Sequence, residues 1–140
     1  MLPLRLVLDT NVVVSAALKP EGLQRTVFLL ALTKPARLYV SAAILAEYRT
    51  VLSRPELQIR KGLRHRFLHL IARRARLVSP AKRLAVAADP DDNIFIECAD
   101  FARADYLVTG NQRHFPRFWK QTKIITSREF IDLIAPHLLP

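Results

Sequence analysis

The chain carries one cysteine, Cys98, and three glycines among its 140 residues. A lone thiol excludes an internal disulfide framework and suits a reducing compartment. Three scattered glycines exclude a glycine-rich phosphate cradle or a dinucleotide fingerprint. No apolar run approaches the roughly 20 residues that cross a bilayer, and the opening LRLVLD lacks the layout of a signal peptide. The expectation is a soluble protein of the cytoplasm with no membrane association. Acid is scarce as well: 12 Asp and Glu stand against 22 Lys and Arg, for a net charge of +10. A balance this basic in a small domain points to a polyanionic partner, with nucleic acid the default.

What is present suffices for a core. Half the residues (51%) are apolar, and a chain of this length buries roughly 68–70% of its unfolded surface as one domain spanning 1–140. The basic charge is uneven. Between residues 54 and 76, eight Arg and Lys face one acid, Glu56. Arg60, Lys61, Arg64, Arg73 and Arg74 of this run, with Arg113 from a later loop, are the candidate phosphate contacts; the competing reading is a solvated helix face.

Strand and helix signals alternate. LRLVL is a buried strand type interrupted only by Arg5. GLQRTVFLLAL puts Leu23, Val27, Leu30 and Ala31 on one helical face. RLYV reads as a strand running into Ser41, an N-cap for the helix carrying Ile44, Leu45, Tyr48 and Leu52. Ser53 to Glu56 has the spacing of a capping box, and Leu63, Phe67, Leu70 and Ile71 carry a helix through the basic run. RLV at 76–78 is a minor strand candidate. YLVT and KIIT are further strands, and Thr126 to Glu129 caps a final helix. The pattern predicts an α/β three-layer sandwich with a mainly parallel central sheet flanked by helices.

The few acids fall at informative places. Ligands of open α/β sheets gather beyond the carboxyl ends of the strands, where Asp9 lies, followed by Thr10 and Asn11, and where Asn111 follows a later strand; Glu47 is on the helix after the RLYV strand. The stretch Asp89-Pro-Asp-Asp-Asn93 reads first as a helix start, with Asp89 as N-cap and Pro90 at the first helical position. On that helix Asn93, Glu97, Asp100 and Ala104 form one stripe, predicted to face solvent, while Phe95, Cys98, Ala99 and Ala102 centre a buried face. Asp91 and Asp92 flank the buried side, and periodicity does not separate them. Carboxylates aimed at one edge repel unless a cation joins them. His65 and His69 have a zinc-compatible spacing, but no H-E-x-x-H motif accompanies them.

VLDTNVVVSAAL at 7–18, SAAILAEYRTVLSRPEL at 41–57, DPDDNIFIECADFARADYLVTGNQRHFP at 89–116 and IITSREFIDLI at 124–134 together resemble the PIN-domain family, in particular its VapC-like toxin members. The resemblance implies a parallel-sheet fold with an acidic cleft and RNA cleavage dependent on Mg²⁺ or Mn²⁺. It matches Asp9, Glu47 and Asp92 to metal-holding acids, choosing Asp92 over Asp91. Asn111 stands where many members have a fourth aspartate, and Asn11 and Thr109 match polar residues lining the cleft. A cognate antitoxin and a homodimer are the partners it implies, beside the RNA substrate. Two other classes compete. One is a nucleic-acid-binding or assembly module with a degenerate site, favoured by Asn111. The other is a small phosphatase, disfavoured because Asn11 is neutral where such enzymes carry a second acid.

Overall fold

The computed structural model describes residues 4–139. Its strands are β1 (Leu4–Leu8), β2 (Ala36–Ser41), β3 (Arg76–Val78), β4 (Tyr106–Val108), β5 (Phe118–Trp119) and β6 (Thr122–Ile125). Its α-helices are α1 (Thr10–Leu18), α2 (Leu23–Ala31), α3 (Ala42–Leu52), α4 (Lys61–Arg74), α5 (Asn93–Ala102) and α6 (Ser127–Ile134). The sheet order is β3-β2-β1-β4-β6-β5, parallel throughout except for the antiparallel β5–β6 edge. The expected α/β sandwich with a mainly parallel sheet is what forms.

β1 is central, and Leu6, Val7 and Leu8 are fully buried. Arg5 is tolerated beside them because it is only partly buried and part of its guanidinium finds a partner. Its amide donates to Asp105 Oδ2 at 2.8 Å, its guanidinium donates to the Ala102 carbonyl at 3.0 Å, and it lies over the Tyr39 ring. Helix α5 packs on β1, β2 and β4, and α2 packs on β2, α1 and α6. Phe67 of α4 stacks on Phe28 of α2 with ring centroids 4.5 Å apart.

Local signals explain most boundaries. Ser41 Oγ accepts from the Ile44 amide at 3.2 Å, as an N-cap should. Thr126 and Glu129 form a reciprocal capping box at α6. Two expectations are corrected, and one helix was not anticipated. Residues 10–18 gave no element from sequence, because Val12, Val13 and Val14 favour strand; they form α1, which buries Val12, Val13, Ala16 and Ala17. The Ser53–Glu56 box does not form. Arg54 before Pro55 is extended, a 3-10 turn follows at Pro55–Leu57, and Ser53 Oγ turns back to donate to the Arg49 carbonyl at 2.7 Å. The stripe assigned to solvent on α5 is largely covered. Asn93 and Ala104 are buried, and Asn93 Oδ1 accepts from the Val86 and Ala87 amides at 2.9 and 2.8 Å. Glu97 Oε2 accepts from the Leu84 amide at 3.0 Å, so the segment before Asp89 is strapped along this face.

Candidate active site

The chain leaves β1 toward β2 on one side and returns through β4 on the other, so the topological switch lies between β1 and β4. That crevice is where such sheets take ligands. Leu8 pairs with Val108 in register, and the Asp9 amide donates to the Val108 carbonyl at 2.9 Å. Asp9 thus stands at the switch, against the residues that follow β4.

Asp9 is buried, at 5% exposure, and both its carboxylate oxygens are engaged. Oδ1 accepts from the Thr10 amide at 2.7 Å, which also caps α1, and Oδ2 accepts from the Thr109 hydroxyl at 2.7 Å. Thr109 is fully buried, and its Oγ in turn accepts from the Asn111 amide at 2.9 Å. The Thr10 hydroxyl donates to Glu47 Oε2 at 3.1 Å, fixing α3 over the crevice. One residue further along α3, Tyr48 is fully buried and donates its hydroxyl to the Leu8 carbonyl, anchoring that helix to the end of β1. Asn11 Oδ1 accepts from the Gly110 amide at 3.1 Å, joining the loops after β1 and β4.

The fourth wall is the turn Pro90–Asp92 leading into α5. Asp89 Oδ1 accepts from the Asp91 amide at 3.0 Å, and the Ala88 amide donates to the His114 carbonyl at 2.9 Å. These bonds set Asp92 against the loop after β4, where its Oδ2 lies 3.5 Å from His114 Nδ1. The result is an open cleft of about 380 Å³ whose polar lining includes Asp9, Asn11, Glu47, Asp92, Asn111 and His114.

Electrostatics within it are strained. Burial, with a contribution from the Glu47 charge, raises the Asp9 carboxyl above its ordinary value despite the Thr109 and Thr10 hydrogen bonds. Burial and the charges of Asp9 and Asp89 push Asp92 up to about 6, against the opposing pull of His114. The cleft therefore resists holding its own negative charge, as a cation-binding site does before the cation arrives. Among the described residues no three His, Cys, Asp or Glu side chains already stand as a ready coordination set.

Of the residues singled out in the sequence, Asp9, Asn11, Glu47, Asp92 and Asn111 line this cleft, and Thr109 supports it from beneath. Asp91 is exposed and does not line it. The basic run is divided. Arg60 and Lys61 begin α4 shortly after Leu57, which lines the cleft, whereas Arg73 and Arg74 end it. A 14-residue helix separates its ends by roughly 20 Å, and Arg74 donates to the Leu32 carbonyl before β2, beyond the opposite end of the sheet. Arg64 lies one turn into α4, and Arg113 borders the hollow beside Asn111. Sequence reasoning missed three charged or titratable lining residues, Asp89, His114 and Arg54, besides the apolar Val14, Val51 and Leu57. Asp89 was absorbed by its capping role, and His114 and Arg54 reach the cleft only through tertiary contacts.

Comparison with known proteins bears on the fold and the family. An uncharacterized protein of Methanocaldococcus jannaschii, MJ1680, is 28% identical over 141 residues, covering 92% of this chain and 90% of its own. The fold is similar to a chain of the VapBC2 complex of Rickettsia felis bound to a promoter DNA fragment, with TM-score 0.59 and 16% identity over 88% of this chain and 98% of that one. It is also similar to a chain of FitAB bound to an IR36 DNA fragment, with TM-score 0.54 and 19% identity over 87% and 94%. The PIN domain family model matches residues 5–113, and the chain, with its acids at the switch between β1 and β4, belongs to the PIN-domain family.

Proposed function

We propose that this protein is a divalent-metal-dependent endoribonuclease, built as one domain and acting in the cytoplasm as the toxin of a toxin–antitoxin pair. The observation that carries the reading is the gathering of Asp9, Glu47 and Asp92 in one cleft where burial and mutual repulsion raise the Asp9 and Asp92 carboxyls. Carboxylate oxygens are the donors that Mg²⁺ and Mn²⁺ prefer, so the donor chemistry fits. Asp9, Glu47 and Asp92 would hold the ion, with the Asn111 amide as a neutral neighbour. When bound, such an ion activates water and neutralises phosphoryl oxygen charge.

The chain's own groups divide the remaining work. Thr109 and the Thr10 amide hold the Asp9 carboxylate in one orientation. Thr10 positions Glu47 across the cleft. Asn11 ties the two loops and so keeps the crevice from widening. Arg54 on the rim, and Arg60, Lys61, Arg64 and Arg113 nearby, supply contacts to the phosphate backbone without reading sequence. With Asn111 in place of a fourth acid, the site carries less charge for a second ion, and activity requires more metal.

The likeness to chains of the VapBC2 and FitAB complexes supports an antitoxin partner; that this partner covers the cleft, and that the active form is a homodimer, are part of the proposal. The test is RNA cleavage by the purified protein in Mg²⁺, Mn²⁺ or EDTA, with Asp9→Asn alongside. Cleavage requires the ion and Asp9; full activity in EDTA, or in the variant, refutes the reading. Induction in cells separates a toxin from a housekeeping nuclease, because a toxin arrests growth and its Asp9→Asn form does not.

A further inference from the structure

The acidic cleft is not isolated. Its Asn111 and His114 also wall a hollow of about 370 Å³, which continues through Gln112 and Arg113. The same Gln112 and Arg113 open a larger groove of about 870 Å³ that ends on the β5–β6 edge, at Arg117, Phe118 and Lys123. A continuous track therefore leads from the acids to the edge hairpin.

The hairpin presents a specific pair of side chains. Successive strand residues point to opposite faces. Trp119 points inward, and its indole donates to Asp100 Oδ1 at 3.0 Å on α5, which pins the hairpin. Phe118 is thereby turned out and is 65% exposed, the most exposed large hydrophobic side chain among the described residues. Phe118 lies directly opposite Lys123 in the antiparallel register, so an aromatic ring and an ammonium stand side by side on one face. Phe118 has no packing role that accounts for this exposure.

Charge along the track is free. Arg113, Arg117 and Lys123 are exposed, and among the described residues none of them is in an ion pair. Lys120 is committed to Asp100 at 2.8 Å. The one acid in the groove, Glu129, has its Oε1 held by Gln112 Nε2 at 2.8 Å and by the capping bond from the Thr126 amide at 3.1 Å, and among the described residues it pairs with none of the three cations. Unpaired cations spaced beside an exposed aromatic ring form a platform for single-stranded nucleic acid, with the ring stacking a base and the cations tracking the backbone. An acidic peptide would satisfy the cations but leave the ring without a flat partner.

We infer that the track from Asn111 to Phe118 and Lys123 binds an unpaired segment of the RNA flanking the phosphate held in the cleft, with Phe118 stacking one base. This rests on the nuclease reading above and assigns the contacts to the flanking strand to a surface outside the acidic cleft.

The test is binding without cleavage. Fluorescence anisotropy in EDTA measures the affinity of a labelled single-stranded RNA for the wild type, for Phe118→Ala, for Arg117→Ser/Lys123→Ser and for Arg73→Ser/Arg74→Ser. Phe118→Ala weakens binding roughly tenfold, the loss expected for one stacked base. The groove pair reduces the salt dependence as well, by about 0.7 in slope per cation lost, and the distal pair leaves affinity near that of the wild type. A blunt RNA duplex binds more weakly than the single strand and is insensitive to Phe118→Ala. Wild-type affinity in both groove variants overturns the proposal, as does equal binding of duplex. Displacement of the RNA by polyglutamate at equal charge overturns it in favour of an acidic peptide. Because no cleavage is involved, loss of the groove effect with Asp9→Asn still abolishing cleavage removes this inference alone; cleavage that persists in Asp9→Asn removes the nuclease reading of the cleft.

Discussion

Asp92→Asn separates stability from function in a way the cleft's electrostatics make quantitative. The Asp92 carboxyl is pushed from 3.8 to about 6 by burial and by the charges of Asp9 and Asp89. A gap of about two pH units in proton affinity between folded and unfolded chain is worth at most ~3 kcal/mol. One side of Asp92 faces the open cleft, and solvent screening reduces this to about 1 kcal/mol. The sign follows from linkage. The folded chain holds this proton to higher pH than the unfolded one, so the contribution is complete below about pH 4 and is lost as pH rises through about 6. At pH 7.5 in EDTA the wild type carries the full cost of burying this charge beside Asp9 and Asp89, and the asparagine variant does not. Asp92→Asn therefore raises the melting temperature there by about 3 °C for a domain of this size, and has little effect at pH 4. Added Mn²⁺ reverses the order, because the wild type gains binding energy that the variant lacks. Scanning calorimetry at the two pH values, with and without the ion, reads all of this. A lower melting point for the variant at pH 7.5, or an equal gain at both pH values, refutes the argument that burial and neighbouring charge oppose an ionised Asp92.

Three further outcomes follow from single contacts. Thr109→Val leaves Asp9 Oδ2 without its donor in a buried site and destabilises the fold by about 1–3 kcal/mol in denaturant titration; wild-type stability would mean the hydroxyl is not engaged. Trp119→Phe removes the bond to Asp100 that pins the β5–β6 hairpin, costing about 1 kcal/mol and speeding amide exchange in β5; unchanged exchange would show that the hairpin is held by packing instead. Asn111→Asp adds a carboxylate beside Asp9 and Asp92 and lowers the Mn²⁺ concentration giving half-maximal cleavage, whereas no change would place residue 111 away from the ion.

The sequence made every strand but the two-residue β5 legible because they are short apolar runs bounded by caps that work locally: Ser41 and the Thr126–Glu129 box hold their helices as their spacing implies. Local rules failed where another segment or a neighbouring proline decided. The valines of α1 favour strand, yet Asp9 caps them as a helix whose buried face packs on α2 and α3. Ser53 fits a capping pattern that Pro55 undoes. Helical periodicity assigned Asn93 to solvent because it carries no sign of the chain passing over residues 84–87. The cleft shows the same division. Asp9, Asn11 and Asn111 were legible from their places at strand ends, since sheet topology brings those ends together. Asp89 and His114 were not, because their position depends on the hydrogen bond between Ala88 and the His114 carbonyl. Asp91 and Asp92 are the sharpest case: adjacent, chemically identical, equivalent by periodicity, and separated in the fold by which of them lines the cleft.

That pair also offers the most direct test of the central claim, that this cleft is a metal-dependent nuclease site built on Asp9, Glu47 and Asp92. Cleavage rates of one single-stranded RNA in saturating Mn²⁺ are compared for the wild type, Asp91→Asn and Asp92→Asn. Asp91→Asn retains most of the rate and Asp92→Asn loses it by at least a hundredfold, about 2.7 kcal/mol or more in the barrier. Equal activity in the two variants, or the greater loss in Asp91→Asn, contradicts the assignment.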